Sequence, residues 1–122
     1  MAPLAITVTQ LDGRSGPVAV VRLSGEADVT THALRDTLGA EVAKRPQLLL
    51  VEMSGLSFMD SSALSVIIRA HRDLGSNGST VVLVSPSAAV ARVLSLVGAD
   101  QVIRVYGSMD EAVAAAADEG TG

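Results

Sequence analysis

The stretch Ser57–Leu64, SFMDSSAL, sets a carboxylate and two hydroxyls side by side: Asp60, Ser61 and Ser62. Short polar side chains at such a place can do two kinds of work. They can accept the unpaired backbone N–H groups that open a helix. Alternatively, a hydroxyl can receive a phosphoryl group, whose charge the positive end of a helix tolerates. The spacing allows the two tasks to be divided. With Asp60 as N-cap, Met59 precedes the cap and Leu64 is the fourth helical residue, which is the arrangement of a hydrophobic staple. With Ser61 as cap, the charged Asp60 would occupy the staple position. The Asp60 carboxylate is therefore expected to receive the N–H of Ser62 or Ala63. At about 100° per residue, Ala63, Leu64, Ile67, Ala70 and Leu74 share one wide arc with Val66 and Ile68. Ser62, Ser65, Arg69, Arg72 and Asp73 fall opposite. Ser62 is thus expected on the solvent face with its hydroxyl free, and Ser61, bonded locally toward the loop, is the rival acceptor.

Other chemistries find less support. No G-x-S-x-G elbow is present to expose a serine nucleophile. Neither G-x-x-x-x-G-K nor G-x-G-x-x-G occurs, so no phosphate-cradling loop is evident. His32 follows Asp28 at a metal-compatible spacing, but two ligands without a third favour an exposed helix residue. His71 falls within the apolar arc of its helix and is expected to be packed with its polar atoms satisfied. Phe58 is expected in the core. These readings imply a binding protein rather than an enzyme, with no cofactor and no metal.

Composition narrows the class. The chain has 122 residues, 48% of them hydrophobic, which suffices for one domain with a substantial core. No apolar run approaches the roughly 18 residues of a membrane span, and MAPLAITVTQ lacks the pattern of a signal peptide. Cysteine is absent, which removes disulfides and thiolate zinc sites and suits the cytoplasm. A net charge of −4, one Phe, one Tyr and no Trp offer neither a basic footprint nor a stacking platform for nucleic acid. No membrane association is expected.

The elements that must position Ser62 follow from periodicity. LAITVTQL alternates as a half-buried strand, DGRSGP is a turn and VAVVRL a second strand, so residues 4 to 23 read as a hairpin. A helix follows with Ala33, Leu34, Leu38 and Val42 on one face, a cap among Asp28 to Thr31, and its end at Arg45-Pro46. QLLLVEM reads as a strand covered on both sides. After the DSS helix, which ends at Gly75, TVVLV is another buried strand. SPSAAVARVLSLVG is a helix with Ser85 as cap, Pro86 at its first position and Gly98 just past its end. QVIRVY is a short strand. The last helix opens with Ser108 and Glu111 in capping-box spacing. The order β-β-α-β-α-β-α-β-α gives an α/β class: one domain over residues 1–117, a mostly parallel sheet with an N-terminal hairpin and four helices. Residues 118–122 are expected to be a disordered tail.

Taken together, LSGEADVTTHALR, LLLVEMSGLSFMDSSALSVIIRA and GSTVVLVSPSAAVARVLSLVGADQVIRVYGSMDEAVAA resemble the STAS domain of bacterial anti-sigma-factor antagonists over nearly the whole chain. F-M-D-S-S-x-L is the most specific part of the likeness, and G-E-x-D near residue 25 is weaker but correctly spaced. One departure is Ala63, where many relatives carry Gly; Ala is the better helix former. Residue chemistry alone favours a structural serine at position 62, and it is the resemblance that makes Ser62 the expected phosphorylation site. The resemblance implies an unphosphorylated form that binds an anti-sigma factor with serine kinase activity and so frees a sigma factor. A serine phosphatase would reverse the modification. The partner surface implied by the motif and the helix's exposed face holds Met59, Asp60, Ser61 and Ser62, then Ser65 and Arg69. Asp28 either joins it as an acidic wall or caps its own helix. A monomer or weak dimer is expected. A second reading is a STAS scaffold or accessory subunit of a stress-signalling or lipid-transport complex without a phosphorylation cycle; the lack of a fused transporter or sensor segment favours the first.

Overall fold

Alternating residues build strand β1 (Ala5–Gly13), which pairs antiparallel with the longer β2 (Gly16–Ala27). The computed structural model describes residues 3–13, 16–27, 32–76 and 78–119. Within them follow α1 (His32–Ala43), β3 (Leu48–Met59), α2 (Ser61–Gly75), β4 (Thr80–Val84), α3 (Ala88–Leu96), a 3-10 turn (Ala99–Gln101), β5 (Arg104–Tyr106) and α4 (Met109–Glu119). The boundary expected at residue 117 falls inside α4, and residues 120–122 lie outside the described residues. One sheet takes the strands in sequence order, with β1 antiparallel to β2 and every later pair parallel. The expected architecture is the observed one.

Right-handed crossovers through a sheet that winds in one direction place every connecting helix on the same face. The core shows this arrangement. Leu34 and Leu38 of α1, Ile67 and Leu74 of α2, and Val90 and Leu94 of α3 pack with Val21, Leu49, Val51 and Leu83 of the sheet. On the other face, α4 is the described helix that covers Val18, Val20, Leu48, Leu50, Val82 and Val84, with Ala112, Met109 and Tyr106 of β5 against them. Cover stops there. Further along that face come Arg22, Ser24, Glu52 and Ser54, the first and third of which form an open 3.9 Å ion pair. Two-sided burial of Leu48–Val51 explains the continuous apolar run that marked this strand.

Strands β2 and β3 run several residues further than their apolar runs suggest, as far as Ala27 and Met59. The reason is pairing: Ser24 sits beside Gly55, Glu26 beside Phe58 and Ala27 beside Met59, across two register shifts. At Gly55 the strands approach so closely that a Cβ would lie 2.9 Å from the Ser24 Cβ, which only glycine avoids. The extension carries the DSS segment to the carboxyl edge of the sheet.

Two helix readings are corrected. Ala33 is exposed, and the buried set on α1 is Leu34, Leu38 and Glu41, with Val42 packed alongside. Glu41 is only 5% exposed. Its carboxylate accepts from Gln10 of β1 at 2.7 Å and from Lys44 at 3.0 Å, and these bonds meet the cost of burying charge. Gln10→Leu is expected to lower stability by about 1–2 kcal/mol, since a buried carboxylate loses a donor; urea denaturation checks this. The cap of α3 is Ser87 rather than Ser85. Ser87 Oγ accepts from the N–H of Val90 at 3.3 Å and donates to the carbonyl of Leu56 at 3.0 Å. Ser85 instead has φ +54, its N–H donating to the Tyr106 carbonyl, so Pro86 precedes the cap. Gly98 follows α3 at φ +76, as expected of a residue just past a helix end. Ser108 caps α4 by accepting from Glu111 at 3.2 Å, while the Glu111 carboxylate accepts from Gly107 rather than from Ser108.

Candidate functional site

The site begins with the cap. Asp60 has extended backbone geometry, and its carboxylate accepts from the N–H of Ala63 at 3.0 Å. Its own N–H donates to the carbonyl of Ala27 at 3.0 Å, which ties the start of α2 to the end of β2. Ser57 Oγ donates to the carbonyl of Gly25 nearby, closing the same two strands. Met59 and Leu64 are both buried beside the cap, 1% and 3% exposed, as the staple requires. Met59 therefore belongs to the core and not to the exposed side of the segment.

With Asp60 occupied by capping, the serines divide as the helix geometry demands. Ser61 and Ser62 are exposed. The Ser61 carbonyl accepts from Ser65 Oγ at 2.9 Å, so the Ser65 hydroxyl is spent on its own helix. Among the described residues the Ser62 hydroxyl has no hydrogen-bond partner. Ala63, Leu64, Ile67, Ala70 and Leu74 are buried on the opposite side, while Ser65, Arg69 and Arg72 face solvent with Ser62. Asp28 lies outside the described residues.

Two side chains sit otherwise than their types suggest. Phe58 is 45% exposed rather than in the core. Its register partner Glu26 places it on the sheet face that α4 covers only as far as Leu50 and Val84, so no described helix packs over it. His71 is half-buried, but its Nδ1 is buried with no hydrogen-bond partner, contrary to the expectation of a satisfied ring. His32 is exposed.

One residue absent from the sequence reading joins the site. α1 packs against α2, and Arg35 lines an open hollow of about 420 Å³ together with Ser62, Ser65, Val66 and Arg69. Arg69 is legible from helical spacing, two turns beyond Ser62. No local signal marks Arg35, because only the docking of α1 on α2 brings it there.

What this arrangement offers chemically is a hydroxyl in the first turn of a helix, without a partner among the described residues, on a hollow that two guanidinium groups also line. Among the described residues no carboxylate or imidazole is hydrogen-bonded to the Ser62 hydroxyl.

Comparison with known proteins identifies the family. Residues 9–112 match the STAS domain. The anti-sigma-F factor antagonist RsfB of Mycobacterium tuberculosis is 30% identical over 113 residues, covering 92% of this chain and 90% of that protein. The crystal structure of an anti-sigma factor antagonist from Mycobacterium paratuberculosis superimposes with a TM-score of 0.78 at 31% identity, over 92% of this chain and 94% of that one. A sulfate transporter family protein from Wolinella succinogenes has a TM-score of 0.70 at 16% identity, over 87% and 88% of the two chains, a likeness of fold alone. The chain belongs to the STAS domain family, and relatives that it matches at about 30% identity over most of their length are anti-sigma-factor antagonists.

Proposed function

We propose that this protein is an anti-sigma-factor antagonist controlled at Ser62. Its unphosphorylated form binds an anti-sigma factor that is a serine kinase, and that binding frees a sigma factor. Phosphorylation of Ser62 by the same kinase weakens the complex, and a serine phosphatase restores it. The observation that carries the reading is the exposed Ser62 hydroxyl, without a partner among the described residues, in the first turn of a helix that Asp60 already caps. In the transfer, the Ser62 Oγ–phosphorus bond forms as the bond to the departing nucleoside diphosphate breaks. The hydroxyl proton passes to a base of the kinase. The partner surface is the carboxyl edge of the sheet with the exposed side of α2: Phe58, Asp60, Ser61, Ser62 and Arg69.

Incubation with ATP and kinase-type anti-sigma factors of the same genome, followed by peptide mass spectrometry, is expected to place one phosphate on Ser62. Ser62→Ala should abolish labelling and Ser61→Ala should retain it. The protein alone with ATP should yield no product above a denatured control. Phosphate on Ser61 alone would shift the acceptor by one residue, and turnover without kinase would overturn the binding-protein reading.

A further inference from the structure

Arg35 and Arg69 come from different helices, are both exposed, and border the same hollow as the Ser62 hydroxyl. Among the described residues neither forms an ion pair, although acidic side chains outnumber basic ones, 13 to 9, in the whole chain. Two like charges lining one hollow repel each other unless an anion is received between them. The shape of the group matters as well. A guanidinium group is planar and can donate two parallel hydrogen bonds to neighbouring phosphate oxygens. Among the described residues on the hollow's wall, the Ser65 hydroxyl is bonded to the Ser61 carbonyl, which leaves that of Ser62 without a partner.

We propose that Arg35 and Arg69 form an intramolecular clamp that holds the phosphate once it is attached to Ser62. The inference rests on Ser62 being the acceptor and adds what the protein does with the modification. The clamp acts on the partner surface in two ways at once. It fixes a phosphate on the face of α2, and it withdraws two cations that an acidic partner surface could otherwise use. Val66 contributes apolar lining to the hollow.

The test uses phosphoserine incorporated at position 62 during translation, which makes it independent of any kinase. The second ionisation of phosphoserine, near pH 6, is followed by phosphorus NMR in the wild-type background and in Arg35→Gln/Arg69→Gln. The clamp predicts a wild-type midpoint lower by about half a unit to one unit, because nearby cations favour the dianion and solvent screens part of the effect. Asp60, Glu26 and His32 at the same edge are common to both proteins and cancel in the comparison. Phosphoserine placed at 61, off the hollow, should respond much less to the arginine changes. Inorganic phosphate at millimolar concentration should leave the arginine Nε–H resonances of the unmodified protein unshifted. Equal midpoints in wild type and double variant would overturn the clamp, as would an equal response at position 61. Saturation by free phosphate would also overturn it, making the hollow a site for a diffusible anion. Failure of the acceptor reading appears elsewhere, as kinase labelling at another residue while the midpoint difference at position 62 persists.

Discussion

Phosphorylated protein is expected to bind its anti-sigma partner at least tenfold more weakly than unmodified protein, while melting within a few degrees of it. The modification brings a charge of about −1.5 to −2 to the first turn of α2. In the isolated protein that charge meets opposing influences. The helix dipole favours it by roughly 0.3–1 kcal/mol, and Asp60 opposes it by about 1 kcal/mol across solvent. Both are small against a domain stability of roughly 5–15 kcal/mol. Ser62 is exposed and its hydroxyl holds no structural bond among the described residues, so the fold has nothing to lose there. Against a partner the balance changes. In the proposed complex the phosphate must shed water where the unmodified protein presents a neutral hydroxyl. Because Arg35 and Arg69 already neutralise part of its charge, the expected cost lies at the low end of the about 2–5 kcal/mol of an unpaired buried charge, or about 30-fold in affinity. Ser62→Asp should reproduce part of the loss, having one charge and fewer acceptor oxygens. Titration calorimetry and thermal melting of the same two samples decide the matter. Equal affinities would remove the switch, and a large fall in melting temperature would mean that it works by unfolding.

Truncating Leu56 and Phe58, two apolar residues on one strand, should give opposite outcomes. Leu56 is fully buried, so Leu56→Ala is expected to lower stability by about 2–5 kcal/mol through lost contacts and the cavity left behind. Phe58→Ala would cost about 3–5 kcal/mol if the ring were in a core. Because the ring is 45% exposed, the expected loss is under about 1 kcal/mol, accompanied by weaker partner binding. Denaturant unfolding of both variants, with affinity measured on Phe58→Ala, checks the pair. A stability loss at Phe58 equal to that at Leu56 would mean that the ring packs inside and would take it off the partner surface.

The periodicity of the chain was enough to order the strands and helices, to select Asp60 over Ser61 as the cap, and to put Ser62 on the open side of α2. These features depend on interactions a few residues apart: a carboxylate reaching the N–H of Ala63, Met59 meeting Leu64, and an apolar arc repeating every turn. The same local rules misplaced Phe58, the cap of α3 and the bonding of His71, and they passed over Arg35. Each of these depends on what a distant segment covers or offers. Phe58 is exposed because α4, separated from it by the rest of the sheet, reaches only the first half of that face. Ser87 rather than Ser85 caps α3 because the Leu56 carbonyl at the end of β3 takes the Ser87 hydroxyl as a donor. Arg35 faces Ser62 because α1 docks on α2. A hydrophobic pattern specifies which side of an element turns inward, whereas the neighbour that meets its outward side is set by strand register and helix docking, which join residues far apart in the chain.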